Sequence, residues 1–325
     1  MRIFAPEASR TFGEAVARSL GRPLDALEER DFEDGEHKIR PLVSVRGEDA
    51  YVIQGLHGDP DDSPNDKLIR LLFLLGALKT NGVGRTTAVI PYLAYARKDR
   101  QTKPRDPLSA RYVAQLLEAV GVERVVTMEV HNIVAFQNAF RCETVALDTR
   151  GALLDRAAEL AGDEAVAVAS PDPGGVKRAQ LFREALEERL GRSVGAAMME
   201  KRRSAGAVSG SLLAGEVDGA RVLVIDDLIA SGGTMVRAAN AMLEGGARDV
   251  WALAAHGLFT GGAEEALTDR SLAGVIVTDT IPAFRLEGTD VKDRIETVTA
   301  APLFAEAIRR LHEDREVGDL IAGES

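Results

Sequence analysis

The stretch Val222-Leu-Val-Ile-Asp-Asp-Leu-Ile-Ala-Ser-Gly-Gly-Thr234 sets two adjacent carboxylates, Asp226 and Asp227, behind an apolar run and just ahead of a Ser-Gly-Gly-Thr turn. The apolar run reads as a buried strand, and the residues after Thr234 have helical period. Gly232 and Gly233 let the backbone fold tightly with its N–H groups facing inward. Ser231 and Thr234 add hydroxyl donors beside Ala230, and the following helix points its positive end at the same spot. Such a turn is a cradle for a phosphate monoester. Asp226 and Asp227 stand one strand-end away, where the hydroxyls of a sugar would lie. A helix cap with a glycine turn would explain the glycines and hydroxyls alone. It would not explain two acids closing an apolar strand, because the interior disfavours them.

Other clusters are weaker on their own. Asp172 stands between Pro171 and Pro173 and before Gly174-Gly175, a rigid turn presenting one carboxylate. Arg97, Lys98, Arg100, Lys103 and Arg105 form a basic run broken by Asp99. Beside a strand end in an acidic protein, that run reads as a triphosphate clamp rather than a solvated loop. Lys201-Arg-Arg203 opens a basic segment, rich in Ser, Ala and Gly up to Gly210, that reads as mobile. His131 follows a strand candidate, where ligand sites of α/β proteins form. Gly82-Val-Gly84 follows a helix and precedes a strand, so it is no dinucleotide fingerprint; GxxxxGK[ST] is absent, and Asp59–Asp66 lacks calcium-loop spacing.

Positioning these residues requires alternating strands and helices. Strand candidates are Tyr51–Leu56, Ala88–Tyr92, Arg124–Val130, Ala165–Ser170, Arg221–Asp227, Val250–His256 and Gly274–Asp279. Helix candidates are Asn65–Thr80, Leu108–Ala119, Arg150–Ala161, Val176–Leu190, Thr234–Glu244 and Pro302–His312. Most of the strands are continuously apolar, as parallel strands buried on both faces are. The order predicts an α/β fold with helices on both faces of parallel sheets. The 325 residues suit two domains at roughly 150 residues each, with a division near Phe140–Asp148 and no fixed-period repeat. A net charge of −11 argues against nucleic acid as a partner, since that needs a basic face, but not against a small phosphorylated ligand. No apolar run nears the roughly 18–20 residues of a membrane span. A single cysteine, Cys142, excludes an internal disulfide framework and paired-cysteine zinc sites. No secretory signal is expected after Arg2, and the protein is read as cytoplasmic.

The turn at Asp226–Thr234 resembles the PRPP-binding loop of the phosphoribosyltransferase fold. Further blocks are Phe32-Glu-Asp-Gly-Glu36, Ser44-Val-Arg-Gly47, Ala88-Val-Ile-Pro-Tyr92 with Tyr95-Ala-Arg97, Ser170-Pro-Asp-Pro-Gly-Gly175, Lys201-Arg-Arg203, His256-Gly257 and Thr278-Asp-Thr-Ile-Pro282. In this order they resemble the ribose-phosphate pyrophosphokinase (PRPP synthetase) family over nearly the whole chain. The resemblance implies two tandem phosphoribosyltransferase-like (PRTase type I) domains, each with a central, mainly parallel β-sheet flanked by helices. Residues 1–143 would carry the ATP-site residues and subunit contacts. Residues 144–325 would carry the ribose 5-phosphate loop, the last helix being free to pack back on the first domain. The implied reaction moves the β,γ-diphosphate of ATP to the 1-hydroxyl of ribose 5-phosphate, releasing AMP and requiring Mg²⁺.

The resemblance also implies roles. Lys201 and Arg203 would close over the reacting phosphates. Asp226, Asp227, Ala230, Ser231, Gly232, Gly233 and Thr234 would bind ribose 5-phosphate, and His131 and Asp172 would contact Mg²⁺. Phe32, Asp34, Gly35 and Glu36, lent by a neighbouring subunit of a homo-oligomer, would bind ATP with Arg97 and Lys98. Ser44, Arg46 and Arg105 match positions that line an allosteric site in phosphate-activated, ADP-inhibited members. The chain departs from the pattern at Ala230-Ser231, where Asp-Thr is usual. It also departs at Glu129-Val-His131 for Asp-Leu-His, at 132–140, and at Lys98 for Gln. Two other functions share the phosphosugar loop: a non-catalytic relative that modulates an active synthetase, and a phosphoribosyltransferase that consumes PRPP.

Overall fold

The structure is a computed structural model that describes residues 1–204 and 207–323, and of 200–212 the strand backbone only. In chain order the elements are β1 (Arg2–Phe4), α1 (Arg10–Leu20), β2 (Leu27–Asp31), β3 (His37–Pro41), β4 (Asp49–Ile53), α2 (Pro64–Thr80), β5 (Arg85–Ile90), α3 (Ser109–Ala119), β6 (Arg124–Met128), α4 (Ile133–Ala139) and β7 (Glu143–Leu147). Then come α5 (Arg150–Ala161), β8 (Val166–Ser170), α6 (Val176–Leu190), β9 (Gly195–Ser204), β10 (Ala207–Gly215), β11 (Arg221–Ile229), α7 (Gly233–Glu244), β12 (Asp249–Gly257) and α8 (Ala263–Leu267). The last are β13 (Gly274–Thr278), β14 (Ile295–Val298), α9 (Ala301–His312) and α10 (Gly318–Ala322). The chain forms two units: 1–148 with 300–323, and 149–299.

The first unit holds a five-stranded parallel sheet in the order β1-β4-β5-β6-β7. Val52, Ala88, Ile90 and Val125 of the sheet meet Leu71, Leu75 and Leu78 of α2 and Leu117 of α3 in one core. A reciprocal cap starts α2. The Ser63 hydroxyl accepts from the Asp66 N–H, the Asp66 carboxylate accepts from the Ser63 N–H, and Pro64 takes the first helical position. Residues 300–323 belong to this unit. Phe304 of α9 meets Phe12 of α1 edge to face at 5.5 Å, and His312 contacts Asp49 of β4 at 2.8 Å. β2 and β3 stand apart as an antiparallel hairpin.

The second unit holds a seven-stranded sheet in the order β10-β9-β8-β11-β12-β13-β14, parallel except for β9–β10. Alternate residues of its central strands feed two cores, which is why those strands read as unbroken apolar runs. Val222, Val224, Ala252 and Val275 face Met235, Ala238 and Met242 of α7. Leu223, Ile225, Leu253 and Ile276 face Leu153 and Ala157 of α5 and Phe182 and Leu186 of α6. The segment from Lys201, read as a mobile loop, has its backbone in β9 and β10, apart from positions 205 and 206, which lie outside the described residues.

Candidate active site

In the second unit, β8 pairs with β11 only as far as Val224, whereas the β11–β12 ladder continues to Ile229. The strand was expected to end at Asp227; it runs two residues further because β12 still pairs with it. Asp226 and Asp227 therefore lie within β11, just past the last residue that β8 covers. The Asp227 N–H donates to Asp226 Oδ1 at 2.9 Å. Arg178 of α6 places Nη1 3.3 Å from Asp226 Oδ1 and 3.7 Å from Asp227 Oδ1. Burial first, then the adjoining Asp227, push the Asp226 carboxyl up to about 8, and Arg178 pulls against them. The ligand-free pair thus holds a proton near neutral pH.

Beyond Ile229 the chain turns through Ala230 and Ser231 to Gly232, whose φ of 76° caps α7. A Cβ on Gly232 would also stand 3.0 Å from Leu267 Cδ2, so glycine is demanded twice. Among the described residues no side chain caps α7, which leaves its first N–H groups to an incoming anion. Ser231 and Thr234 are exposed, and Thr234 Oγ1 accepts from Arg237 Nη2 at 3.1 Å.

The Ser170–Gly175 turn lies at the end of β8. Asp172 Oδ1 accepts from the N–H groups of Gly174 (2.8 Å) and Gly175 (3.2 Å). Ser170 Oγ donates to the Asp172 carbonyl at 2.6 Å. A Cβ on Gly175 would stand 2.8 Å from that Oγ, so the second glycine is required by close approach. Gly175 leads directly into α6, which carries Arg178 to the two acids. The turn and the acid pair are thus one assembly. The backbone of Lys201 and Arg203 lies on β9; their side chains lie outside the described residues.

In the first unit, the segments that follow Arg97 and His131 are tied together. Asn132 Nδ2 donates to Asp99 Oδ2 at 2.7 Å, while Asn132 Oδ1 accepts from the Ala135 N–H and caps α4. One side chain thus ties the residue after His131 to the basic run. Tyr95 (φ 65°), Arg105 (φ 72°) and Glu129 (φ 37°) are non-glycine residues in the left-handed region. Such strain gathers at ligand sites, and Tyr95 and Glu129 each stand two residues before a candidate. Asp106 organises the run. Its carboxylate accepts from Lys98 Nζ, the Thr102 hydroxyl and the N–H groups of Thr102 and Lys103. The Lys98 bond, foremost, holds the Asp106 carboxyl far below the usual range. Lys98 is therefore engaged within its own loop, whereas Arg97 is exposed.

Phe32, Asp34, Gly35 and Glu36 form the tip of the β2–β3 hairpin. The Phe32 N–H donates to the Glu36 carbonyl at 2.7 Å, the Glu36 N–H donates to Asp34 Oδ1 at 3.1 Å, and Gly35 has φ 89°. All four are exposed, and the Arg30 guanidinium covers one face of the Phe32 ring at 5.0 Å. Ser44 and Arg46 are exposed, and a Cβ on Gly82 would stand 2.9 Å from Arg46 Nη1.

Comparison with known proteins decides what this assembly belongs to. Residues 1–121 match the family described as the N-terminal domain of ribose phosphate pyrophosphokinase. Residues 209–322 match the phosphoribosyl synthetase-associated domain. The chain is 38% identical to the ribose-phosphate pyrophosphokinase of Caldanaerobacter subterraneus subsp. tengcongensis, over 98% of this chain and 97% of that one. The chain belongs to the ribose-phosphate pyrophosphokinase family. It is 36% identical to the ribose-phosphate pyrophosphokinase of Clostridium tetani over 98% of its length and 97% of that chain. The crystal structure of phosphoribosylpyrophosphate synthetase from Mycobacterium smegmatis superposes with a TM-score of 0.85 at 33% identity, covering 96% of this chain and 99% of that one. The chain is thus an enzyme of this family, and its two α/β units have the PRTase type I fold.

Pyrophosphokinases of this family are associated with Mg²⁺. Among the described residues no three His, Cys, Asp or Glu side chains gather as a metal cage. Mg²⁺ seldom uses such a cage; it takes one or two carboxylates and fills the remainder with water and substrate phosphate. Asp172 fits that demand. Its Oδ1 is fixed by two N–H groups, while Oδ2 accepts no hydrogen bond among the described residues. Sequence reasoning missed Arg178, Asn132 and Arg237. Arg178 was legible only as a helix residue near the Gly174-Gly175 turn; its reach to Asp226 depends on the β8–β11 pairing.

Proposed function

We propose that this enzyme is a ribose-phosphate diphosphokinase that transfers the β,γ-diphosphate of ATP to the 1-hydroxyl of ribose 5-phosphate, yielding PRPP and AMP. The observation that carries the reading is the acid pair in β11 followed by the uncapped, glycine-turned start of α7, in a chain 38% identical to a pyrophosphokinase over nearly its whole length.

The 5-phosphate sits on the N–H groups from Ser231 to Thr234 beside Ala230, Gly232 and Gly233, with the Ser231 and Thr234 hydroxyls donating to it. Asp226 and Asp227 accept from the ribose hydroxyls, and Arg178 keeps them charged as sugar displaces their proton. This fixes the 1-hydroxyl as nucleophile. Attack on the β-phosphorus forms the new O–P bond as the bond to the α-phosphate oxygen breaks; AMP leaves with that oxygen, and the proton of the 1-hydroxyl is released to solvent. Charge on the moving diphosphate is met by Lys201 and Arg203, one a point charge and the other a two-pronged donor. Asp172 and His131 would be the residues to hold Mg²⁺, which would supply positive charge to the phosphate oxygens. Arg97 and Lys98 serve ATP, as do Phe32, Asp34, Gly35 and Glu36 of a neighbouring copy in a homo-oligomer. The exposed hairpin tip suits that loan. Ser44, Arg46 and Arg105 form an allosteric anion site. Residues 1–143 and 144–325 are the functional domains, with the last helix of the second packing back on the first. The enzyme works in the cytoplasm, without nucleic-acid or membrane partners; no described helix is long and apolar enough to cross a membrane.

The test is product analysis. Protein, MgATP and ribose 5-phosphate should give AMP in step with sugar consumed. ADP in place of AMP, or no nucleotide product, contradicts the proposal and reopens the non-catalytic and PRPP-consuming alternatives.

A further inference from the structure

Arg237 is the one basic residue on α7. It is exposed, yet its guanidinium is not spread into solvent. Side chains on a helix lean toward the N-terminus, and this one leans back a full turn. Nη2 donates to Thr234 Oγ1 at 3.1 Å, and Nη1 comes within 3.5 Å of where a Cβ on Gly233 would stand. Among the described residues no carboxylate pairs with it, and no acidic residue occupies the first turn of α7. The position opposes the helix's own field, which is positive at this end and favours anions. A cation set there without a partner lowers the stability of the free protein, and an anion in the cradle reverses the sign of that effect.

The hydrogen bond to Thr234 also has a direction. A hydroxyl carries a single proton. Because Oγ1 accepts from Arg237, that proton remains for a third group. Resting on the reading that a sugar 5-phosphate occupies this turn, we propose that Arg237 grips that phosphate directly and aims the Thr234 hydroxyl at it. The cradle then counts a charged donor that its Ser-Gly-Gly-Thr sequence does not contain. Arg237 lies three residues beyond that motif and one helical turn above it. Position 230 of the same loop is Ala, so no acid there competes with the phosphate for the guanidinium.

The experiment compares wild type with Arg237→Gln and Arg237→Lys. A hydrogen bond from a charged donor to phosphate is worth a factor of about 10–100. Arg237→Gln should therefore lower kcat/KM for ribose 5-phosphate by about that factor, carried by KM, with KM for ATP unchanged. Arg237→Lys should recover part of it. With ribose, which lacks the phosphate, the three proteins should be equal. The melting temperature of ligand-free Arg237→Gln should equal or exceed that of wild type. An unchanged KM for ribose 5-phosphate, or an equal loss with ribose, overturns the inference. Calorimetric binding of ribose 5-phosphate separates this failure from failure of the reaction. A wild type that makes no AMP but binds the sugar phosphate more tightly than Arg237→Gln sinks the diphosphokinase reading and keeps Arg237. Equal binding by the two removes Arg237.

Discussion

Arg178→Met takes away the cation that faces both acids of β11. Its Nη1 lies 3.3 Å from Asp226 and 3.7 Å from Asp227. At an effective dielectric of about 20, one unit pair at that range interacts by about 4–5 kcal/mol before desolvation is counted. The net value of a hydrogen bond to a charged group is smaller, about 1.5–3 kcal/mol. At about 1.36 kcal/mol per pKa unit, that corresponds to about 1–2 units. The sign follows from what Arg178 favours. It stabilises the charged carboxylates, so without it the pair binds its proton more tightly and the acid limb of activity moves upward. The assay is the pH profile of kcat/KM for ribose 5-phosphate between about pH 6 and 10.5. Wild type should show an acid limb set by the pair, and Arg178→Met should show that limb displaced by about 1–2 units to higher pH. Activity should recover at the alkaline end. Arg178→Lys should fall between the two. Profiles that superimpose would refute the claim that Arg178 sets the charge of the pair, even if the variant were slower throughout.

Other substitutions test other parts of the site. The folded protein binds the Asp226 proton more tightly than the unfolded chain does, so this group's stabilisation is complete below the unfolded value of about 3.9 and is lost as pH rises through its folded value of about 8. The melting temperature of the ligand-free enzyme should therefore decline across that window. Asp226→Asn should flatten the decline and abolish turnover, and a parallel decline in both proteins would contradict the assignment. Gly232→Ala must hold φ 76° with its Cβ 3.0 Å from Leu267. It should cost about 1–2 kcal/mol in denaturant unfolding and raise KM for ribose 5-phosphate, and a neutral result would mean the turn adapts. Asn132→Ala removes both the α4 cap and the link to Asp99. It should lose about 1 kcal/mol of stability and raise KM for ATP more than KM for the sugar. Gly175→Ala sets a Cβ 2.8 Å from Ser170 Oγ. It should shift Asp172 and raise the Mg²⁺ concentration needed for half-maximal rate, an effect checked by titration.

The sequence made the interior legible because its pattern is strong. Strands such as Val222–Ile225 must feed two cores at once and so are apolar at every position, and α5 and α6 lie where the helical period put them. α1 escaped notice because only Gly13, Val16 and Ala17 of it are buried, two of them too small to mark a stripe. β2 and β3 are absent from the strand candidates because one face of the hairpin lies in solvent and carries charged residues. At the site, chemistry showed through wherever a residue type was costly for its place, as with two acids on a buried strand or a glycine before a helix. It did not show through where function depends on reach. Arg178, Asn132 and Arg237 are ordinary helix-face or cap residues in the sequence, and only the strand order and the helix starts bring them to acids, loop and turn. Lys98 was legible from the basic run, but its pairing with Asp106, eight residues on, was not.

Phosphorus NMR of one reaction mixture addresses the central claim most directly. With MgATP and ribose 5-phosphate at equal concentration, the account predicts that the β and γ resonances of ATP give way to a coupled diphosphate pair on the sugar. The α resonance should become that of AMP, and the sugar should keep its 5-phosphate. Appearance of ADP with a singly phosphorylated 1-position, or a spectrum that never changes, would contradict it.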